Sequence, residues 1–219
     1  METDRKWIIV RIDGKIAAIS TDYSLLASIS AVLARNSQGK SSRNKDKRKG
    51  KMEKGPVYRE IIATTASLED VWQLKQETGW EDLMLFGTEF QKKVWRKLWE
   101  LSHRDGNLST GSSADMPNDD TANLICYSDF AELCQNRAGV RAVAHAIGLN
   151  PVSVIIPCHL VIPKESIDKI RNIHKKAEAT IFKGDDLCIN SILSDSSIDF
   201  GEYALGRKLK RELILRELA

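Results

Sequence analysis

The sequence predicts an α/β N-terminal domain followed by a mostly α C-terminal domain that carries a helix-turn-helix pattern. Three observations carry this. An early run alternates as a β-hairpin, two short helical patterns meet at a tight turn in the second half, and the chain closes on a charged helix with one apolar stripe. With 219 residues and 42% hydrophobic content, there is material for one large or two small cores. The reading divides the chain at 1–85 and 86–219.

The elements follow in order. "WIIVRIDGKIAAIST" gives two strands around Asp13-Gly14, a strong hairpin turn signal. "SLLASISAVLARN" reads as a helix. The stretch "NSQGKSSRNKDKRKGKMEKGP", with its basic loop at 36–55, is polar and dense in Lys and Arg. It reads as a solvated loop, with a phosphate-contacting arm or a nuclear-import signal as sharper readings. "PVYREIIATT" is a candidate strand. "SLEDVWQLKQETG" is a helix with a Ser67–Asp70 capping box and a stop at Gly79. "GTEFQKKVWRKLWEL" opens the second domain with a Thr88–Gln91 capping box. Phe90, Val94, Leu98 and Leu101 form its apolar face, with Trp95 beside them.

Residues 102–123 are rich in Ser, Asp, Asn and Gly and read as a loop. "YSDFAELCQN" and "AGVRAVAHAIGLN" are two short helices joined around Arg137–Gly139, a helix-turn-helix signature. "PVSVIIPCHLVIP" reads as a β-strand running into a Cys-His turn. A long polar stretch, 164–200, follows. "YALGRKLKRELILREL" closes the chain as a helix whose apolar face is Leu209, Leu213, Ile214 and Leu218.

Bulk properties exclude several classes. The formal charge of +3 is only mildly basic, so nucleic-acid binding must rest on local distribution rather than net charge. No stretch has the apolar length of a membrane span, and "METDRKWIIV" lacks a secretory h-region. The four cysteines, Cys126, Cys134, Cys158 and Cys188, fit neither a CxxC zinc pattern nor a secreted disulfide framework. A reducing compartment is the simplest expectation: cytoplasmic, or nuclear in a eukaryotic cell. Neither a metal nor a cofactor is expected.

The segment "IIPCHLVIP" sets a thiol, Cys158, beside an imidazole, His159, in an apolar surround. A thiolate is the competent nucleophile, and an isolated cysteine at neutral pH is mostly thiol. An imidazole can take the proton, and a carboxylate behind it would hold the ring and stabilise the imidazolium. The pair therefore asks for an acid. Taken alone, such a dipeptide is more often a buried structural cysteine beside a satisfied histidine.

"NPVSVIIPCHLV" resembles the active-site signature of the O6-alkylguanine-DNA alkyltransferases, the methylated-DNA–protein-cysteine methyltransferases. The resemblance continues in order through "FGTEFQKKVWRKLWEL", "CYSDFAELCQNRAGVRAVAHAIGLNP" and "YALGRKLKRELILRE". It covers about Gly87 to Glu217, with insertions near 102–123 and 164–200. It implies a winged helix-turn-helix-like alkyltransferase domain that repairs DNA by one-time transfer of an alkyl group to a cysteine. It also implies double-stranded DNA containing alkylated guanine as partner, and action as a monomer without cofactor.

Residue by residue, the resemblance makes Cys158 the acceptor thiol, His159 the base acting through water, and Glu217 the orienting carboxylate. Asn150 becomes the hinge between helix-turn-helix and active-site turn, and Tyr127 the proton donor to the departing guanine. Arg141 would fill the gap left by the extruded base, with small residues Gly139 and Ala142 letting the helix approach the minor groove. The carbonyls of Cys158 and Val161 would read the guanine amino group. Tyr203 would wall the pocket, and Ala204 would offer a backbone donor.

Each residue also has a plainer reading: Tyr127 as a helix-start aromatic, Asn150 as a C-cap before Pro151, Arg141 and Glu217 as surface charges. Leu160 stands where the family has Arg, and His145 where it commonly has a small residue. Three rival functions remain at this stage. They are a lesion-binding homologue with impaired transfer, a helix-turn-helix transcription regulator, and a thiol hydrolase.

Overall fold

Asp13 and Gly14 both take positive φ, 48° and 81°, the backbone a two-residue hairpin turn demands. Strand β1 (Trp7–Ile12) therefore folds straight back as β2 (Lys15–Ser20). In the computed structural model, residues 5–24, 58, 60–103, 124–178, 192 and 195–218 are described. The expected helix from Ser24 onward, the basic loop 36–55 and most of 102–123 lie outside them.

Two compact units emerge. The first holds the chain to Phe86 together with Pro151–Ser153; the second holds Gly87–Asn150 and Val154 onward. In the first, β3 (Ile61–Ala66) pairs antiparallel with β1, which becomes the centre of a three-stranded sheet of order β2-β1-β3. The outer edge of β2 is occupied by short bridges. Met84 N donates to Ile16 O (2.8 Å), Ile19 N to Pro151 O (2.9 Å) and Ser153 N to Ile19 O (3.1 Å). These bonds draw 151–153 into the first unit. Helix α1 (Leu68–Glu77) starts at the expected capping box, with Ser67 Oγ accepting from Asp70 N and Asp70 Oδ2 accepting from Ser67 N. Gly79 is not its stop. The helix ends at Thr78, whose hydroxyl donates to Leu74 O at 2.6 Å, while Gly79 is extended and begins a 3-10 turn at Trp80–Asp82.

The second unit opens with α2 (Glu89–Ser102), again capped as expected by Thr88 and Gln91. Val94, Trp95, Leu98 and Leu101 are buried, whereas Phe90 is exposed, one turn too early to reach the core. Gly87 permits a close approach: a Cβ there would lie 2.7 Å from the Trp95 ring. Trp95 Nε1 donates to Ala146 O at 2.8 Å. Strand β4 (Ile125–Cys126) leads without a break into α3 (Tyr127–Leu133), and after Gln135 (φ 57°) and a 3-10 turn at Arg137–Gly139 comes α4 (Val140–Gly148). Two short helices thus meet at a joint around Arg137–Gly139, where the sequence placed it. The sheet beside it is a two-residue parallel pair, β4 with β5 (Val161–Ile162).

Two expectations need correction. Residues 152–157 do not form a ladder strand, although every residue from Val152 to Ile162 is buried. Val154 turns the chain at φ 74°, a conformation costly for a β-branched residue, and Pro157 and Cys158 kink it again through Cys158 N donating to Ile156 O. A continuous apolar run signals burial, and here the buried element is irregular. The stretch read as polar from 164 begins with α5 (Lys164–Glu178), seated by Ile167 and Ile170. The last helix, α6 (Arg207–Leu218), buries Leu209, Leu213 and Ile214 as expected, and Lys210 with them. Among the described residues no helix is long and apolar enough to cross a membrane.

Candidate active site

Cys158 opens a 3-10 turn, Cys158–Leu160, closed by Leu160 N donating to Pro157 O at 3.0 Å. Leu160, in place of a charged residue, is fully buried, so the turn is held by core packing. The kink at Pro157 turns the sulfur toward α4's end. Asn150, just past α4, donates from Nδ2 to Ile156 O (2.8 Å) and to Cys158 Sγ (3.1 Å). Both amide hydrogens are thereby engaged. On another side the thiol donates to the Tyr203 hydroxyl at 3.9 Å.

His159 is fully buried, and its Nε2 meets Glu217 Oε1 at 2.8 Å. A buried imidazole with a carboxylate on one nitrogen has its tautomer and orientation fixed, and its protonated form stabilised. Glu217 lies two turns beyond Lys210 on the same stripe of α6. Lys210 is 1% exposed. Its ammonium donates to Val161 O (2.8 Å) and Glu202 O (3.3 Å) and sits 5.9 Å from the Tyr127 ring centroid. Tyr127 itself is half-buried at the start of α3, aimed there by the β4–β5 pairing.

The electrostatics follow from this burial. Desolvation raises the Cys158 thiol above its ordinary range; Asn150, Tyr203 and the Lys210 charge pull in the opposite direction. The resting sulfur is a thiol whose ionisation the surroundings are prepared to assist. Tyr127 is also pushed up, first by burial and then by Cys158, which keeps its phenol proton in place. Burial lowers Lys210 to about 8. The cluster thus combines a nucleophile, an oriented imidazole, a phenol proton and a buried cation. That set suits transfer of a carbon group to sulfur with protonation of a leaving oxygen. Among the described residues no group of His, Cys, Asp and Glu is arranged to hold a metal.

The sequence-derived residues fall into two sets. Cys158, Asn150, Tyr203, Tyr127, His159 and Glu217 gather around or directly behind the sulfur. Val161 adjoins them, one lone pair of its carbonyl taken by Lys210. Ala204 lies in an exposed turn after Tyr203. Gly139, Arg141 and Ala142 are on the helix-turn-helix; Arg141, Ala142 and His145 are exposed along one side of α4, and Asn150 is the link from that helix to the sulfur. Lys210 was missed as a site residue. Its signal was present: a lysine inside the Leu209–Leu213–Ile214 stripe faces the core.

Comparison with known proteins supplies the context. Residues 120–179 match the family described as "6-O-methylguanine DNA methyltransferase, DNA binding domain". A probable methylated-DNA–protein-cysteine methyltransferase of Acanthamoeba polyphaga mimivirus is 39% identical over 85 residues, 39% of this chain and 45% of that protein. The methylated-DNA–protein-cysteine methyltransferase of Methanosarcina mazei is 33% identical over 123 residues, 54% of this chain and 65% of that one. The chain thus spans less than two thirds of these relatives. Among solved structures, the O6-methylguanine-DNA methyltransferase of Pyrococcus kodakaraensis aligns over 98% of this chain and 93% of its own, at 20% identity and a TM-score of 0.43.

Proposed function

Taking residues 120–179 as the DNA-binding domain of a 6-O-methylguanine DNA methyltransferase, we propose that this chain repairs DNA by single-turnover transfer of an alkyl group from O6-alkylguanine to Cys158. The observation that carries the proposal is the Cys158 sulfur held at 3.1 Å by Asn150 Nδ2, beside a histidine locked to Glu217 at 2.8 Å.

The steps are these. Arg141, Ala142 and Gly139 bring α4 into the minor groove, and phosphate contacts anchor the duplex. The lesion base leaves the stack, and Arg141 takes its place. The carbonyls of Cys158 and Val161 accept from the guanine amino group, Tyr203 walls the pocket, and the Ala204 backbone faces the alkylated oxygen. His159 Nδ1 receives the thiol proton through water, Glu217 stabilising the imidazolium at Nε2. The sulfur attacks the alkyl carbon, the carbon–O6 bond breaks, and Tyr127 protonates the departing guanine. A thioether has no easy hydrolytic exit, so each molecule reacts once. The protein acts as a monomer, without cofactor, in the cytoplasm or in a eukaryotic nucleus.

Intact-mass analysis after incubation with a duplex containing O6-methylguanine tests this. The expected result is one added methyl, mapped to Cys158 and absent from Cys158→Ala, which still binds the duplex. Lesion binding by the wild type without any adduct would overturn transfer.

A further inference from the structure

The connection 163–202, far longer than a hairpin, ends on Tyr203, whose hydroxyl meets the Cys158 sulfur. A long connection leaves its end poorly placed unless something ties it. Here the ties are visible. Pro163 and the first turns of α5 grip the segment before Tyr203. Ser166, 2% exposed, donates from Oγ to Asp199 O at 2.6 Å. Lys169 Nζ donates to Ser197 O at 2.6 Å and to Ser197 Oγ at 3.1 Å. Gly201, at φ 77°, rests on Pro163: a Cβ there would lie 3.2 Å from Pro163 Cδ. Ile198 and Phe200 are buried. On the α6 side, the Arg211 guanidinium lies 5.4 Å from the Phe200 ring centroid, and Lys210 holds Glu202 O at 3.3 Å. Residues 197–202 are a strap gripped from both sides.

We infer that α5 is a positioning element for the acceptor thiol: Ser166 and Lys169 fix the strap so that the Tyr203 hydroxyl stays on the Cys158 sulfur. This rests on Cys158 being the acceptor. Ser166 touches no reacting atom and acts only through the strap. Its hydroxyl is buried and reaches a backbone carbonyl four residues before Tyr203, so its removal frees the strap at the α5 tie nearest the tyrosine. Lys169 supplies a second tie one helical turn later.

The test uses the full chain. Alkylation of Cys158 by iodoacetamide is followed against pH by peptide mass mapping, which separates Cys158 from the other cysteines, alongside methyl transfer from an O6-methylguanine duplex. Ser166→Ala is expected to move the alkylation midpoint upward by about half a pH unit, roughly threefold in thiolate below the midpoint. Tyr203→Phe is expected to do the same, and the double variant no more than either. Ser166→Thr, which keeps the hydroxyl, restores the wild-type midpoint. Lys169→Met provides an independent cut of the same strap should Ser166→Ala fold poorly, and moves the midpoint in the same direction. An unchanged midpoint in both single cuts, with only thermal stability lowered, overturns the inference. A shift that persists undiminished in the Tyr203→Phe background overturns it as well. Absence of a methyl adduct on the wild type would refute the proposed function, while the thiol titration would still judge the strap.

Discussion

Replacing Lys210 by methionine removes a charge that the fold tolerates at a cost. The amine is buried against the carbonyls of Val161 and Glu202, and burial takes it from 10.5 to about 8. At about 1.4 kcal/mol per pH unit, that fall corresponds to about 3 kcal/mol. The sign follows from which state holds the proton. Between about 8 and 10.5 the unfolded chain binds it and the folded chain does not, so the folded state gains as pH rises through this window. Below about 8 both states are charged, and the full burial cost is present. Cys158 and Tyr127, both raised by burial, lose folded-state advantage at high pH and oppose this trend. Comparing the two proteins removes most of their contribution. Urea denaturation at pH 7 and pH 10 is therefore expected to show wild type improving relative to Lys210→Met by roughly 2–3 kcal/mol. Equal pH dependence in the two proteins would refute the buried-cation account of this site.

Three further outcomes follow from the geometry. Asn150→Ala deletes a hydrogen bond to the nascent thiolate, about 1.5–3 kcal/mol, and should slow single-turnover transfer roughly 10-fold to 100-fold; melting should fall by several degrees because Ile156 O loses its donor, and an unchanged transfer rate would contradict the role. Glu217→Gln leaves the shape of the pair but not its charge, so transfer should drop by roughly two to four orders of magnitude with little change in duplex affinity, read by quench-flow and titration. Arg141→Ala should weaken binding to the lesion duplex, where the side chain takes the place of the extruded base, and leave the slope of log affinity against log salt nearly unchanged. A slope reduced by about 1, with equal loss on undamaged duplexes, would instead place it on a phosphate.

What the sequence made legible was local. Asp13-Gly14 dictates its own turn, and the Ser67–Asp70 and Thr88–Gln91 boxes name helix starts, because each device is closed within four residues. The Arg137–Gly139 joint and the Leu209–Leu213–Ile214 stripe were readable for the same reason. The failures share a cause as well. "PVSVIIP" announces burial, and burial alone does not distinguish a strand from an irregular buried segment; Val154 turns the chain in a conformation its side chain disfavours. In α5 the anchoring apolar residues, Ile167 and Ile170, are outnumbered by charges. At the site, Cys158, His159 and Asn150 sit within a few residues of one another and could be read as a motif. The pairing of His159 with Glu217, 58 residues apart, came from the family resemblance. Lys210 escaped because residue type suggested solvent, whereas its helical position pointed inward.

Asn150 leaves the molecule with a memory. Its single amide nitrogen joins the Ile156 carbonyl to the Cys158 sulfur, at 2.8 Å and 3.1 Å. Under the proposed transfer the sulfur would end as a thioether, a weaker acceptor than a thiolate, so the amide would keep Ile156 O and loosen its hold on the sulfur.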